Sequence, residues 1–212
     1  MGFPIQVGVI DYGAGNVSSV MHAVERTGAY PKRVSTPEDI IRCDRLILPG
    51  VGAAQEAMRS LKRLDLIEAL DEAVNKKATP LLGICVGMQI LAEKLTEFGE
   101  SFGLGWIEGQ VLPLSNIGKE KVQTPHMGWS HVSFKGAGEY WSKLVGRRSE
   151  FYFAHSYALV VNDPSLVAAT VFHGYEITSA ISKGSIIATQ FHPEKSQVPG
   201  ATFMEAFVDW SP

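Results

Sequence analysis

Cys85 stands in Gly83-Ile84-Cys85-Val86-Gly87, where a run that reads as a strand meets one that reads as a helix. In that context a Gly-x-nucleophile-x-Gly pattern has a mechanical meaning. A sharp strand-to-helix turn holds the nucleophile in a strained backbone, and small flanking residues let neighbouring segments come close. The helix N-terminus behind it, with its free N–H groups and dipole, favours a thiolate. A thiolate that attacks an acyl carbon also needs a proton carrier, and Gln190-Phe191-His192-Pro193-Glu194-Lys195-Ser196 supplies one. Pro193 biases His192 toward an extended conformation that projects His192 and Glu194 to the same side, so the carboxylate can hold the imidazole. In Pro49-Gly50-Val51-Gly52, backbone N–H groups of Val51 and Gly52, joined by that of Val86, can face a developing oxyanion. Gln89 lies one helical turn beyond Cys85 on the same face and can meet a polar substrate. Taken singly, each pattern also fits a plainer role: a buried structural cysteine, a surface turn, an ordinary tight turn.

The elements that must position these residues alternate in the first half of the chain. Residues 5–11, 32–35, 45–48 and 80–84 read as short buried strands. Between them, 17–27 reads as a helix closed by Gly28, 54–75 carries Ala57, Leu61, Leu64, Ile67 and Leu70 at helical spacing, and 86–98 reads as a third helix. This is the pattern of a parallel sheet with crossover helices. After residue 98 the pattern changes to short strands at 106–112, 131–134, 150–157, 166–173, 177–182 and 185–191, separated by glycine and polar turns, with a closing helix at 201–210. The expected architecture is a three-layer α/β domain over 1–212, its central and mostly parallel sheet extended or wrapped by antiparallel strands.

Composition narrows the classes. Hydrophobic residues make up 45% and charged residues 19%, and 19 Lys and Arg against 22 Asp and Glu leave a net charge of −3, so no basic field points to nucleic acid. Two cysteines, Cys43 and Cys85, are too few for a disulfide framework and point to a reducing compartment. No signal peptide, myristoylation signal at Met1-Gly2 or membrane-spanning run is read, so a cytoplasmic location is expected. Cys43 reads as a partly buried small residue. His22, His131 and His173 have no partners at metal-ligand spacing, so neither a metal nor a cofactor is expected.

Six blocks, in this order, resemble the class I glutamine amidotransferases: Asp11-Tyr12-Gly13-Ala14-Gly15-Asn16, Leu48-Pro49-Gly50-Val51-Gly52-Ala53, Gly83-Ile84-Cys85-Val86-Gly87-Met88-Gln89, Pro125-His126-Met127-Gly128-Trp129, Tyr152-Phe153-Ala154-His155-Ser156-Tyr157, and His192 to Ser196. Within that class the resemblance is to the glutaminase subunits of imidazole glycerol phosphate synthase. It implies the flavodoxin-like three-layer fold of the class, a Cys85-His192-Glu194 triad, an oxyanion hole at Val51, Gly52 and Val86, and glutamine contacts at Gly52, Gln89, Glu97, His155, Ser156 and Tyr157. It also implies a heterodimeric partner, a (β/α)8-barrel cyclase faced by Asn16, Trp129 and Lys195, because the chain ends too soon after His192 to hold a synthase domain of its own. Ammonia from glutamine would pass to that cyclase for histidine biosynthesis, and Val51 between two glycines would permit a partner-induced peptide flip. Ala54, Ser130 and Ser19 depart from the family's common residues. They keep a paralogous glutaminase, serving an amidotransferase of surface-polysaccharide sugars, as the alternative.

Overall fold

A computed structural model describes residues 4–13, 15–146 and 148–212; the Met1-Gly2 reading and Ala14 of the 11–16 block lie outside the described residues. The first half runs β1 (Gln6–Ile10), α1 (Val17–Glu25), β2 (Tyr30–Val34), α2 (Pro37–Ile41), β3 (Arg45–Gly50), α3 (Ala54–Arg63), α4 (Leu66–Asp71), β4 (Leu81–Cys85) and α5 (Val86–Gln89). The second half runs β5 (Ala92–Leu95), β6 (Ser101–Phe102), β7 (Ile107–Pro113), β8 (His126–Phe134), α6 (Glu139–Val145), β9 (Arg148–His155), β10 (Tyr157–Val161), β11 (Val167–His173), β12 (Tyr175–Lys183), β13 (Ile186–Thr189) and α7 (Gln197–Asp209).

Two sheets result. The larger has the order β2-β1-β3-β4-β13-β12-β11-β8-β9, and the smaller β10-β7-β5-β6. β2, β1, β3, β4 and β13 pair in parallel, whereas β12, β11, β8 and β9 continue the same sheet antiparallel. The expected α/β architecture, a mostly parallel core extended by antiparallel strands, is the one observed. Every residue of β4 is buried, as a strand covered by helices on both faces requires.

Two helices read from the sequence end early. The run at 54–75 breaks at Asp65, whose φ of 54° lies in the left-handed region, so α3 stops and α4 restarts before passing into a π-turn at Glu72–Lys76. The run at 86–98 is helical only for α5, after which the chain extends into β5, parallel to β7 and antiparallel to β6. Ala92 and Leu95 are buried at a helical spacing that the strand accommodates by a register shift between Ala92 and Lys94, and ladder bonds offered by β7 override the helical propensity of the Glu- and Lys-containing stretch. The thiol therefore sits at the start of a single helical turn, and the dipole behind it is correspondingly short.

The register assembles the site. β4 lies between β3 and β13, with Gly50 opposite Cys85 and Thr189 opposite Ile84. The segments after three adjacent parallel strands, 51–53, 86–89 and 190–196, thus leave the sheet at one edge, where ligands of open α/β sheets bind. Close packing demands glycine here: a Cβ at Gly87 would overlap the Leu48 carbonyl oxygen of β3. Phe191 anchors the 190–196 segment, fully buried with its ring 4.1 Å from that of Phe151.

Candidate active site

Cys85 takes φ 53° and ψ −105°, the strained conformation expected of a nucleophile elbow. His192 follows β13 with an extended backbone. Pro193 then opens a short 3-10 turn over Pro193–Lys195, so the pair is brought together by a turn rather than by the alternation of an extended segment. The turn is stitched to β9: His192 N–H donates to the Tyr152 carbonyl at 2.9 Å, and the Ser196 hydroxyl donates to the His192 carbonyl at 2.6 Å while accepting from Tyr152 N–H at 3.0 Å.

His192 Nδ1 lies 2.9 Å from Glu194 Oε1, both side chains being almost wholly buried. Burial by itself would depress the imidazole, but its hydrogen bonds and charge interactions with Cys85 and Glu194 outweigh that and hold it at about 9, against an ordinary 6.5. An imidazole held at about 9 carries a proton at neutral pH that it can give to a leaving amine. Tyr12 is buried beneath, its hydroxyl donating to the Pro49 carbonyl at 2.8 Å and so fixing the end of β3; burial and the Cys85 charge push its phenol up.

These residues open onto a cavity of about 470 Å3, whose lining includes Val51, Gly52, Cys85, Val86, Gln89, Glu97, His155, Ser156, Tyr157, His192 and Lys195. Gly52 has φ +84°, and Val51 is exposed. Glu97 Oε2 accepts the Ala54 N–H at 3.0 Å, capping α3 from outside the helix where Ala53 offers no side-chain cap. Of the three residues expected at a partner surface, Lys195 lines the cavity and Asn16 and Trp129 do not. Asn16 Nδ2 approaches Glu194 Oε1 at 3.5 Å, Trp129 is 44% exposed and opposite Tyr152, and the Lys195 ammonium lies 5.8 Å from the Tyr152 ring centre. Among the described residues no cluster of three His, Cys, Asp or Glu side chains suits a metal. Cys43 is buried, its thiol donating to the Asp39 carbonyl at 3.2 Å.

The family model for class I glutamine amidotransferases matches residues 8–209, nearly the whole chain. The chain belongs to the class I glutamine amidotransferase family. It is 43% identical over 210 residues to imidazole glycerol phosphate synthase subunit HisH of Zymomonas mobilis, covering 97% of this chain and 96% of that protein. The corresponding protein of Rhodospirillum rubrum is 39% identical over 215 residues, covering 98% and 100%. Among solved structures, PurLQS from Thermotoga maritima superposes with a TM-score of 0.69 at 18% identity, covering 97% of this chain and 96% of that chain, a likeness of fold alone.

Two features of this amidotransferase escaped the sequence reading. Gln190, noticed only as part of its segment, directs its Nε2 to Cys85 Sγ at 3.6 Å. His126, His155 and His173 form a cluster, with His126 Nδ1 3.0 Å from His155 Nε2 and the His126 ring stacked 4.2 Å from that of His173. Strand register is the signal that finds it: His126 of β8 faces His155 of β9 directly. Burial, first of all, and the His173 imidazole lower His126 to about 4; burial, with smaller contributions from neighbouring imidazoles, lowers His155 to about 3, despite the bond it donates to the Tyr157 carbonyl. His173 therefore has a ring neighbour, though not a metal-ligand set.

Proposed function

We propose that this chain is the glutaminase subunit of an imidazole glycerol phosphate synthase, with Cys85, His192 and Glu194 as its catalytic triad. The observation that carries the reading is the convergence on one cavity of a strained cysteine, a carboxylate-held histidine and the glycine-containing 51–53 turn. Support for the pathway comes from the relatives, which carry that subunit's name at about 40% identity over nearly their full length.

The Cys85 thiolate attacks the side-chain carbonyl carbon of glutamine, forming a C–S bond while the oxyanion takes hydrogen bonds from N–H groups of Val51, Gly52 and Val86. The His192 imidazolium gives its proton to the amide nitrogen, the C–N bond breaks, and ammonia leaves a glutamyl thioester. Neutral His192 then takes a proton from water as that water attacks the thioester. Breakage of the C–S bond releases glutamate and restores thiolate and imidazolium, so the balance is glutamine plus water to glutamate plus ammonia. Glu194 keeps the Nδ1 proton in place and stabilises the cation. Gln89, with both Nε2 hydrogens committed to Tyr157 O and Gln190 Oε1, offers its Oε1 to the substrate. Glu97 supplies a negative charge for the α-ammonium group, and Gly52, His155, Ser156 and Tyr157 line the remainder.

Ammonia passes to a (β/α)8-barrel cyclase docked on the face that carries Asn16, Trp129 and Lys195, and the heterodimer works in the cytoplasm. No helix of the described residues is long and apolar enough to cross a membrane. The test is glutamate release by the purified chain with and without the cyclase and its phosphoribulosyl formimino nucleotide. Strong stimulation by both, with ammonia incorporated into the cyclase product, is expected. Equal release in all conditions, or transfer only to a sugar acceptor, would overturn the assignment.

A further inference from the structure

Hydrogen-bond roles around the nucleophile can be assigned one by one, starting from a group with a fixed role. The Tyr157 carbonyl can only accept, so the two atoms that reach it, Gln89 Nε2 at 3.0 Å and His155 Nδ1 at 2.8 Å, both donate. With Nδ1 protonated in a neutral imidazole, His155 Nε2 must accept, and His126 Nδ1–H at 3.0 Å is its donor. His126 Nε2 then accepts from the half-buried Ser130 hydroxyl at 2.9 Å, on the same face of β8 as His126. Neutral imidazoles at both positions agree with the depression of both by burial.

The chain of donors and acceptors continues from Gln89 to the cysteine. Gln89 has one N–H left after Tyr157, and Gln190 Oε1 accepts it at 3.1 Å. That fixes which end of the Gln190 amide is oxygen, and its Nε2 is the end turned to Cys85 Sγ. The side chain has no freedom to do otherwise: Gln190 is 0% exposed, and its backbone N–H is held by the Ser179 carbonyl at 2.9 Å.

We infer that Gln190 is a catalytic residue of this amidotransferase, donating an amide N–H to the Cys85 sulfur, and that Gln89, Tyr157 and the His155–His126 pair are positioning residues that lock its amide in the donating orientation. The role rests on Cys85 being the nucleophile proposed above. It differs from that of His192, which exchanges a proton with the substrate: Gln190 transfers no proton, stabilising the sulfur while it is anionic and aiming it at the cavity. When the thioester forms, the sulfur loses its charge and the bond weakens, so the donor also favours return of the thiolate as leaving group.

The experiment reads Cys85 without glutamine or partner, so its failure is distinct from failure of the glutaminase reading. Iodoacetamide alkylation is followed across pH by peptide mass spectrometry, which separates Cys85 from Cys43. The variants are Gln190→Glu, which keeps the acceptor for Gln89 but turns an oxygen to the sulfur, and Gln190→Met, which removes both. The other titratable groups facing the sulfur are His192, backed by Glu194, and Tyr12, unchanged in all samples. In both variants the pH of half-maximal alkylation moves up by about one unit, with the larger move in Gln190→Glu. An unmoved midpoint in a variant with an unchanged thermal transition overturns the inference. Should neither variant fold, the unmodified protein still decides. One glutamine side-chain amide resonance must follow the Cys85 titration and lose that response in Cys85→Ala, and a spectrum in which none does so refutes the role.

Discussion

At the scale of single residues, proton transfer depends on how His192 is held. Loss of the Glu194 charge removes part of what keeps the imidazole at about 9, so in Glu194→Gln the alkaline limb of the kcat/KM profile moves down from about 9 toward 6.5. With the imidazolium less populated and its orientation loosened, kcat falls by about a hundredfold, a change that stopped-flow or coupled assays of glutamate release measure directly. Glu97 separates two roles in the same way. Glu97→Gln keeps an acceptor for the Ala54 N–H and removes the charge, so KM for glutamine rises about tenfold with an unchanged thermal midpoint. Glu97→Ala raises KM and also destabilises by about 1 kcal/mol, because the first turn of α3 loses its cap. Steady-state kinetics paired with thermal unfolding check both. Cys85, His192 and Glu194, the proposed triad, stand out in the sequence because nucleophile, base and carboxylate are chemically distinctive types. Gln190 does not, because a glutamine acquires meaning only from what its two amide ends touch, and that depends on Gln89, 101 residues away in sequence.

At the scale of elements, the β8–β9 pair adds a pH dependence to stability. His126 and His155 are neutral in the folded protein down to about 4 and about 3, whereas in the unfolded chain they protonate near 6.5. The unfolded state therefore binds more protons below pH 6.5, so their contribution is present above that pH and is lost as pH falls toward 4. Between pH 6.5 and 4.5 the loss is on the order of 2–3 kcal/mol for each imidazole. Urea denaturation at the two pH values measures it, and a midpoint that does not fall contradicts the neutral pair. The parallel half of the sheet was readable because fully apolar strands alternate with helical periodicity. The 86–98 segment reads as a helix because Ala92 and Leu95 stand at helical spacing, and only pairing with β7, with its register shift between Ala92 and Lys94, makes it a strand. The strand at 150–157 likewise proved to be the ends of β9 and β10, which turn at Ser156 into different sheets, a change of partner that composition does not record.

At the scale of the whole molecule, the site is a product of strand order. β3, β4 and β13 lie side by side although 100 residues separate Cys85 from Ser185, and the antiparallel strands between carry the chain out to β9 and back, bringing Tyr152 against the His192 turn. The face around the cavity presents Val51, Phe98, Met127 and Trp129 to solvent, an apolar rim suited to a partner rather than to water. On the proposed reading Trp129 is an anchor of that interface. Trp129→Ala weakens association with the cyclase by about 10–100-fold while leaving the thermal transition of the free chain within about two degrees, as sedimentation and calorimetry test. The measurement that bears most directly on the central claim is covalent mapping with 6-diazo-5-oxo-L-norleucine, an electrophilic glutamine analogue, applied to the complex with its cyclase. The account predicts a single adduct, on Cys85, formed at a rate that glutamine suppresses. An adduct on Cys43, or labelling of Cys85 indifferent to glutamine, would contradict it.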